Sequence, residues 1–181
     1  LGFYKREGKI YKLDNTTPDI CEVYEAIVNA YNSGYEYFAL EASSQGIAQH
    51  RLDTLHYDYT VFTNLTRDHL DFHKTMENYA LAKKKVFEDL KESGKAIINA
   101  DDPRCNYYSL EKNTNITYGI NGGDYQVVDY KFSLNGTKFK LKHDNETYDF
   151  QMKLVGVYNI YNIIPVIVIL HDLGDSFKEI S

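Results

Sequence analysis

The sequence has only two cysteines, no tryptophan and no long uninterrupted apolar run. Cys21 and Cys105 fit neither a metal-binding spacing nor a disulfide framework, which favours a reducing, cytoplasmic setting. The most apolar run, residues 160–170, is interrupted by Asn162 and Pro165 and is too short to span a bilayer. The N-terminus has no signal-peptide pattern. These absences predict a cytoplasmic protein without membrane insertion.

An excess of positive charge is also missing. The chain has 20 Lys and Arg against 26 Asp and Glu, for a formal net charge of −6. Binding to nucleic acid requires clustered basic side chains that face phosphates. The richest basic cluster, residues 83–85, is followed at once by Glu88 and Asp89, which is typical of a solvated helix face. The sequence therefore predicts no nucleic-acid partner.

The length of 181 residues suits one domain. The first residue is Leu1 rather than Met, so we expect an internal piece of a longer protein. The phosphate-binding motif G-x-x-x-x-G-K-[ST] occurs nowhere in the sequence.

The first two-thirds of the chain alternates helix signals with short apolar segments. Asp19 is an N-cap signal for a helix over about residues 20–32, and Gly34 closes it. Thr75 caps a second helix, which we expect to end before Gly94. Three apolar segments are predicted to be strands: residues 35–40, 59–64 and 95–100. This order is typical of a largely parallel sheet covered on both faces.

The pattern then changes to strict alternation of apolar and polar residues. Asn135-Gly136 is the strongest short-range hairpin signal in the sequence, and residues 143–146 form a second turn. We therefore predict a small antiparallel β-unit over residues 124–154.

The last predicted element is a helix over about residues 159–173. Gly174 ends it, and Pro165 is expected near its first turn. The predicted fold class is thus α/β, with a mostly parallel sheet flanked by helices and a small antiparallel β-unit.

A polar segment stands at the end of each of the three predicted strands. These segments are residues 41–44, 64–69 and 99–102. In an open parallel sheet, the ligand crevice lies outside the carboxyl ends of the strands. We therefore expect these clusters to converge on one site. The alternative, for any cluster taken alone, is that its residues only form turns.

Glu41 directly follows four residues predicted to be buried, so its carboxylate needs a partner, and a divalent cation is one candidate. His69 is either a second ligand or an ordinary surface residue. His73 follows four positions later, but nothing fixes the two as a helical pair, which disfavours zinc.

The residues that follow Glu41 raise two further possibilities. Ser43 and Ser44 are not in a G-x-S-x-G elbow, which disfavours serine hydrolysis. Arg51, close to Gln49 and to a strand end, is either an anion clamp or a plain surface arginine.

Lys83 shares a helix face with apolar residues. The stripe to which it belongs contains Met76, Tyr79, Val86, Phe87 and Leu90. One interpretation is a lysine that extends its ammonium group to solvent from a buried stem. The other is a chemically altered lysine that faces a crevice.

Five stretches carry a family resemblance. They are NTTPD (15–19), EASSQGIAQHR (41–51), FTNLTRDHLDFHKTMENYALAK (62–83), NADD (99–102) and LVGVYNIYN (154–162). Together they resemble the middle domain of the Mur ligases, and within that family most closely the UDP-N-acetylmuramoyl-tripeptide synthetases. The resemblance extends from about residue 15 to 170.

The resemblance implies an ATP-dependent amide ligase of peptidoglycan synthesis, with ATP and Mg²⁺ as cofactors. In the family, the carboxylate of UDP-MurNAc-L-Ala-D-Glu is activated as an acyl phosphate. The amine of an amino acid, either meso-diaminopimelate or L-lysine, then attacks it.

The resemblance also implies roles for individual residues. It places substrate binding at Asn15, Thr16, Thr17, Ser43, Gln49 and Arg51. It places magnesium binding at Glu41 and His69, and makes Lys83 a carbamate whose negative charge helps to position the metal. It places Asn159 and Asn162 at the adenine.

The sequence departs from the family in three respects. Many relatives have His where this chain has Gln45. The family carries G-x-x-x-x-G-K-[ST] upstream of the Thr-Thr-Pro segment, and a C-terminal domain downstream, and neither is in this sequence. We therefore expect residues 1–181 to be a truncated middle domain that lacks the phosphate-loop strand, has unpaired strand edges and is inactive alone.

Two alternatives remain open at this stage. One is another amide ligase of the superfamily, such as a folylpolyglutamate or cyanophycin synthetase, against which the Asn-Thr-Thr-Pro and Gln-His-Arg elements weigh. The other is a non-catalytic binding module that kept the sheet.

Overall fold

The structure is a computed structural model that describes residues 3–6, 9–12 and 15–181. The chain forms two compact units. The first contains residues 1–56 and 67–89, and the second contains residues 57–66 and 90–181.

The first unit contains a two-stranded antiparallel sheet and four helices. The strands are β1 (Phe3–Arg6) and β2 (Lys9–Lys12). The helices are α1 (Ile20–Asn32), α2 (Ser44–Ala48), α3 (Leu70–His73) and α4 (Met76–Glu88).

The predicted N-caps of the two long helices are confirmed. Asp19 Oδ1 accepts hydrogen bonds from the backbone N–H groups of Cys21 and Glu22, at 2.8 and 3.2 Å. The Glu22 carboxylate accepts from Asp19 N–H at 3.4 Å, which completes a capping box. Thr75 Oγ1 accepts from Asn78 N–H at 3.1 Å at the start of α4.

One apolar cluster of the first unit joins three of its helices. Its buried members are Val23 of α1, Ile47 of α2, and Leu52. Partly buried apolar side chains surround them: Ile27, Leu40, Ala42, Leu55 and Val86. These contacts bring α1, α2 and α4 together around one apolar centre.

The predicted strand over residues 35–40 is wrong. The segment forms no strand, and Tyr35, Tyr37 and Phe38 are 55%, 67% and 42% exposed. A strand exists only through hydrogen bonds to a neighbouring strand, and no described strand pairs with this segment. Its aromatic composition indicated burial but supplied no pairing partner.

The second unit is built on a six-stranded sheet in the order β3-β4-β5-β6-β7-β8. The strands are β3 (Tyr57–Phe62), β4 (Leu90–Asn99), β5 (Thr114–Gly119), β6 (Tyr125–Ser133), β7 (Gly136–His143) and β8 (Glu146–Met152). The pairings from β3 to β6 are parallel, and those from β6 to β8 are antiparallel. The mostly parallel sheet with an antiparallel part is thus confirmed.

Helices cover both faces of this sheet. On one face, α6 (Val157–Asp172) and α7 (Phe177–Ile180) pack with the fully buried Ile97, Tyr118 and Leu141. On the other face, Tyr108 of α5 (Cys105–Tyr108) stacks on Phe62 with ring centroids 3.8 Å apart. Burial on both faces explains why β4 reads as an apolar run.

The two predicted hairpin turns are confirmed. Leu134 and Asn135 connect β6 to β7, and Gly136 begins β7 with φ +121°. Asp144 and Asn145 connect β7 to β8, both with positive φ, as a type I′ loop requires.

Two predictions about the end of α4 are wrong, those for Gly94 and for Leu90. Helix α4 ends at Glu88, and Gly94 lies inside β4, where a Cβ atom would meet the Tyr57 carbonyl oxygen at 2.9 Å. Gly94 therefore permits a close approach between strands rather than a helix end. Because α4 ends at Glu88, Leu90 belongs to β4 and not to the apolar stripe of α4.

Pro165 is buried in the interior of α6 rather than in its first turn, because the helix begins at Val157. Gly174, with φ +109°, follows the last turn as predicted. Among the helices of the described ranges, none has both the length and the apolar character needed to cross a bilayer.

Candidate active site

Thr17 is the centre of a hydrogen-bonded cluster in the first unit. Its side chain is 1% exposed. Its Oγ1 donates to the Glu41 carbonyl oxygen at 2.7 Å and accepts from Ser43 N–H at 2.8 Å. The Thr17 hydroxyl therefore holds the chain that carries Glu41 and Ser43.

Arg51 closes the cluster from the other side. Its Nη1 donates to the Thr17 carbonyl oxygen at 2.8 Å, and its Nη2 donates to Gln49 Oε1 at 2.5 Å. Because two guanidinium donors are used within the protein, the direction of the Arg51 fork is fixed. Gln49 is exposed, so its amide group remains accessible to a ligand.

Gly46 is required by this arrangement. A Cβ atom at this position would lie 2.7 Å from Thr17 Cγ2 and 2.9 Å from Ser43 Oγ. Ser43 also caps α2, because its Oγ accepts from Gly46 N–H at 3.1 Å. The turn after Glu41 is thus held by side-chain hydrogen bonds and by close packing.

Three of the candidate residues around this cluster are exposed: Asn15, Thr16 and Glu41. The Glu41 carboxylate forms no hydrogen bond or ion pair with another described residue. It is therefore available to a ligand or cation. The burial that we expected before Glu41 is wrong, because residues 35–39 and Glu41 itself are exposed.

Tyr79 of α4 contacts both other candidate metal-binding residues. The His69 ring stands edge-on to the Tyr79 ring at a centroid distance of 5.9 Å. Lys83 Nζ lies 5.4 Å from the centroid of the same ring. Tyr79 and Lys83 are one helical turn apart, which places them on one face of α4. The structure thus brings His69 and Lys83 to a single aromatic side chain.

His69 has a left-handed backbone conformation, with φ 54°. It precedes α3, and its backbone N–H donates to Asp68 Oδ1 at 2.7 Å. Its Nε2 lies 3.6 Å from Asp68 Oδ2. A non-glycine residue in this conformation is uncommon and often marks a functional turn.

His73 and Ser44 connect the two parts of the first unit that carry candidate residues. His73 Nε2 lies 2.9 Å from Ser44 Oγ, and the His73 ring stacks on Tyr79 at 5.1 Å. Both His73 and Ser44 are buried. Burial, and then the nearby His69, lower the pKa of His73 below its usual value. His73 is therefore a neutral packing residue near neutral pH rather than a proton donor.

The donor atoms set a limit on metal binding. Within the part of the chain that the structure describes, no group of three His, Cys, Asp and Glu side chains is arranged to hold an ion. A hard cation bound by Glu41 and His69 would need further oxygen ligands. A carbamate on Lys83 and the phosphate groups of a substrate would be ligands of this type.

In the second unit, Asn159 lies in the first turn of α6. Its Nδ2 donates to the Val155 carbonyl oxygen at 3.0 Å, which fixes the amide at the helix start. Asn162 is exposed, one turn further along. The two amides are thus on neighbouring turns at the N-terminal end of α6.

The NADD segment after β4 serves the fold of the second unit. Asn99 Nδ2 donates to the Thr63 carbonyl oxygen at 2.6 Å, and Asp102 Oδ2 accepts from Leu65 N–H at 3.0 Å. Asp101 Oδ2 accepts from Ile120 N–H and from the Tyr161 hydroxyl, both at 2.7 Å. Within the segment, Asp101 N–H donates to Asn99 Oδ1 at 3.0 Å and Arg104 N–H donates to Asp102 Oδ1 at 2.8 Å, which are the turn contacts of the open alternative.

Sequence reasoning missed the part played by Tyr79. We assigned it to an apolar stripe, whereas its ring is the common contact of His69, His73 and Lys83. The i,i+4 spacing of Tyr79 and Lys83 indicates that these two side chains are neighbours on α4. The contacts of His69 and His73 with the Tyr79 ring depend on the position of α3, which this spacing does not indicate.

Comparisons with known proteins show the family of the chain. The sequence profile of the Mur ligase middle domain matches residues 2–170. A UDP-N-acetylmuramoyl-L-alanyl-D-glutamate–2,6-diaminopimelate ligase of Caldanaerobacter subterraneus subsp. tengcongensis is 34% identical over 177 residues. That alignment covers 95% of this chain and 36% of the relative, so the chain spans about a third of the length of such relatives.

Solved structures give the same result. A solved structure of a UDP-N-acetylmuramoyl-L-alanyl-D-glutamate–2,6-diaminopimelate ligase superposes with a TM-score of 0.80 and 30% identity, and the match covers 93% of this chain and 37% of that chain. MurF of Thermotoga maritima in complex with ADP superposes with a TM-score of 0.64 at 17% identity, over 83% of this chain and 37% of that one, which is a likeness of fold. Since the family profile spans most of the sequence, this chain belongs to the Mur ligase family and corresponds to its middle domain.

Proposed function

We propose that this chain is the substrate- and metal-binding part of an ATP-dependent ligase that adds an amino acid to UDP-MurNAc-L-Ala-D-Glu. The observation that carries the proposal is the similarity to 2,6-diaminopimelate ligases over 95% of the chain. The activity of these relatives supports 2,6-diaminopimelate as the incoming amine. We assign the enzyme to the cytoplasm, where ATP and nucleotide-linked precursors occur, with no nucleic-acid partner.

The Thr17 cluster supports a site for the UDP-linked substrate. Asn15, Thr16, Ser43 and Gln49 would contact the substrate, and Arg51 would supply positive charge. The Thr17 hydroxyl is buried and already forms two hydrogen bonds. We therefore assign Thr17 the role of holding this site in shape.

Glu41, His69 and Lys83 would hold magnesium. When bound, Mg²⁺ would offset the negative charge of the phosphate groups between which a phosphoryl group is transferred. The support from the structure is the accessible Glu41 carboxylate and the contact of His69 and Lys83 with one ring.

A carbamate would change the charge of Lys83 from positive to negative. The neutral amine adds to the carbon of CO₂ and loses one proton, which leaves a carbamate anion on Nζ. This anion would repel neither Mg²⁺ nor a neutral imidazole, whereas an ammonium ion would oppose the metal. The proposal thus gives a reason for a lysine beside a histidine.

In the proposed reaction the substrate carboxylate attacks the terminal phosphorus of ATP, which forms an acyl phosphate and releases ADP. The amine of the amino acid then attacks the acyl carbon, an amide bond forms, and phosphate leaves with the loss of a proton from nitrogen. Such chemistry depends mainly on positioning and on charge compensation. Asn159 and Asn162 would contact the adenine.

The experiment that tests this function is Lys83→Ala in the full-length protein that contains this stretch. We expect amide formation to fall by at least about 100-fold, as for loss of a metal-positioning charge. Formate or acetate should restore part of the rate, because a small carboxylate can replace the carbamate. Lys84→Ala, on the neighbouring position of α4, is the matched control. Unchanged ligation in Lys83→Ala would refute the proposal.

The isolated chain gives a second test. Because its sequence has no G-x-x-x-x-G-K-[ST] motif, we expect neither ATP hydrolysis nor ligation from the 181 residues alone. Robust turnover by the purified chain would contradict this part of the proposal.

A further inference from the structure

The outer face of the β6–β8 meander carries its charged side chains in rows that cross the three strands. Residues paired directly in antiparallel strands point to the same face. In one row, Lys140 pairs with Asp129 on β6 and with Asp149 on β8. Lys140 Nζ lies 3.8 Å from Asp149 Oδ1. The positive charge of this row is therefore compensated by carboxylates.

The next row has no carboxylate. Lys131 pairs directly with Lys138, and Lys138 pairs with Gln151. All three side chains are exposed. Neither lysine has an ion pair within 4.0 Å among the residues that the structure describes. Like charges placed directly opposite each other are unfavourable, so this row carries two uncompensated positive charges.

A cavity of about 370 Å³ lies over this second row. It is lined by Lys131, Ser133, Asn135, Gly136, Lys138 and Gln151. The volume is within the range of small-molecule sites. None of the residues that line it is acidic. The Asn135 and Gln151 amides add neutral hydrogen-bond donors to the two ammonium groups.

Ser133 and Gly136 shape the wall of this cavity. The Ser133 hydroxyl donates to the Gly136 carbonyl oxygen at 3.1 Å and accepts from Asn135 N–H at 3.2 Å. A Cβ atom at position 136 would meet the Met152 carbonyl oxygen at 2.0 Å. The hairpin end is thus held in a fixed conformation beside the two lysines.

We propose that this cavity, the Lys131–Lys138 site, binds a phosphate-bearing small molecule. A phosphate dianion between the two ammonium groups would replace their repulsion by two charge-assisted hydrogen bonds. The amides would bind its remaining oxygens. The site shares no residue with the proposed substrate, metal or adenine positions, so it is independent of the proposed ligase function.

The first experiment titrates inorganic phosphate, and separately pyrophosphate, into the ¹⁵N-labelled chain at constant ionic strength. We expect saturable amide shifts confined to residues 131–138 and Gln151, with pyrophosphate severalfold tighter because of its higher charge. Malonate is the carboxylate probe. Unsaturable shifts spread over all lysine-bearing strands would overturn the proposal, and tighter binding of malonate than of phosphate would overturn the assignment to phosphate.

The second experiment compares two lysine substitutions on the same face. Lys131→Gln should weaken pyrophosphate binding about tenfold, as expected for the loss of one charge-assisted hydrogen bond. Lys140→Gln removes the same charge from the compensated row and should change binding by less than about twofold. Both positions are exposed, and far-UV circular dichroism would verify the fold. Equal losses in the two variants would indicate general charge attraction and would overturn the site.

Discussion

Ser44 Oγ lies 2.9 Å from His73 Nε2, and both side chains are buried. This hydrogen bond connects the turn that follows Glu41 to the segment that contains His69. It adds a polar contact to the apolar cluster that brings α2 and α4 together. The bond is thus a structural contact inside the candidate site. Neither Ser44 nor His73 is one of the candidate ligand-binding residues.

The first prediction concerns this link. Ser44→Ala should leave the buried His73 imidazole without its partner, which costs about 1–3 kcal/mol of unfolding free energy. Urea-induced unfolding of the chain, followed by circular dichroism, measures the loss. Ser93→Ala, at an exposed position, is the control and should stay within about 0.5 kcal/mol of the original chain. A loss in Ser44→Ala no larger than in the control would contradict this role.

The second prediction concerns the Thr17 hydroxyl. Thr17→Val keeps the shape of the side chain but removes the hydrogen bonds to the Glu41 carbonyl oxygen and from Ser43 N–H. We expect a loss of about 1–3 kcal/mol, because partly buried backbone groups lose their partners. Thr16→Val, at the exposed neighbouring position, should be nearly neutral. Equal unfolding midpoints for the two variants would refute the assignment.

The third prediction concerns the Tyr79 ring and depends on the proposed function. Tyr79→Phe keeps the ring, so the contacts with His69 and Lys83 should remain. Tyr79→Leu removes the ring and should raise the Mg²⁺ concentration for half-maximal ligation by the full-length protein about tenfold, since misplaced ligands bind a metal less well. The comparison is made at a temperature where both variants are folded. Identical magnesium dependence would show that the ring does not position the site.

The fourth prediction concerns pH and the second unit. Burial, and then the nearby His143, lower the pKa of His171 below its usual 6.5, while Asp172 and Asp144 act in the opposite direction. The His171 Nδ1 atom is 2.8 Å from the Tyr125 hydroxyl, and its ring stacks on Phe177 at 4.0 Å. The folded chain therefore resists protonation of this imidazole.

The sign of the effect follows from proton binding. Below pH 6.5 the unfolded chain binds more protons at this position than the folded chain, so stability falls as the pH decreases toward the folded-state pKa. Above pH 6.5 the contribution is fully present. Urea midpoints between pH 8 and 5 should show this decrease, and His171→Gln should make it shallower. An unchanged slope in His171→Gln would contradict the prediction.

Much of the fold followed from local signals. Asp19 and Glu22 defined the start of α1, and the Asn135-Gly136 turn defined the β6–β7 hairpin, because caps and tight turns are made by residues close together in sequence. The segment 35–40 failed for the opposite reason. Its aromatic residues favour a strand, but strand formation depends on a distant partner that local composition does not encode.

The residues of the candidate site could be predicted from the sequence, but the contacts between them could not. Glu41, His69 and Lys83 were selected from residue type and from their places beside apolar segments. The contacts among these regions join residues far apart in sequence, such as Ser44 with His73 and Thr17 with Ser43. Hydrogen-bond distances of this kind depend on how the helices pack, which sequence periodicity does not specify.

By itself, the sequence determined the helix caps, the hairpin turns, the charge balance and the chemical types available at the site. Only the tertiary structure decided that Tyr79 is the shared contact of His69 and Lys83, and that Lys131 stands opposite Lys138 without a carboxylate. The reason is physical. Caps and turns depend on bonds between near neighbours in the chain, whereas shared contacts and strand register depend on the packing of the whole fold.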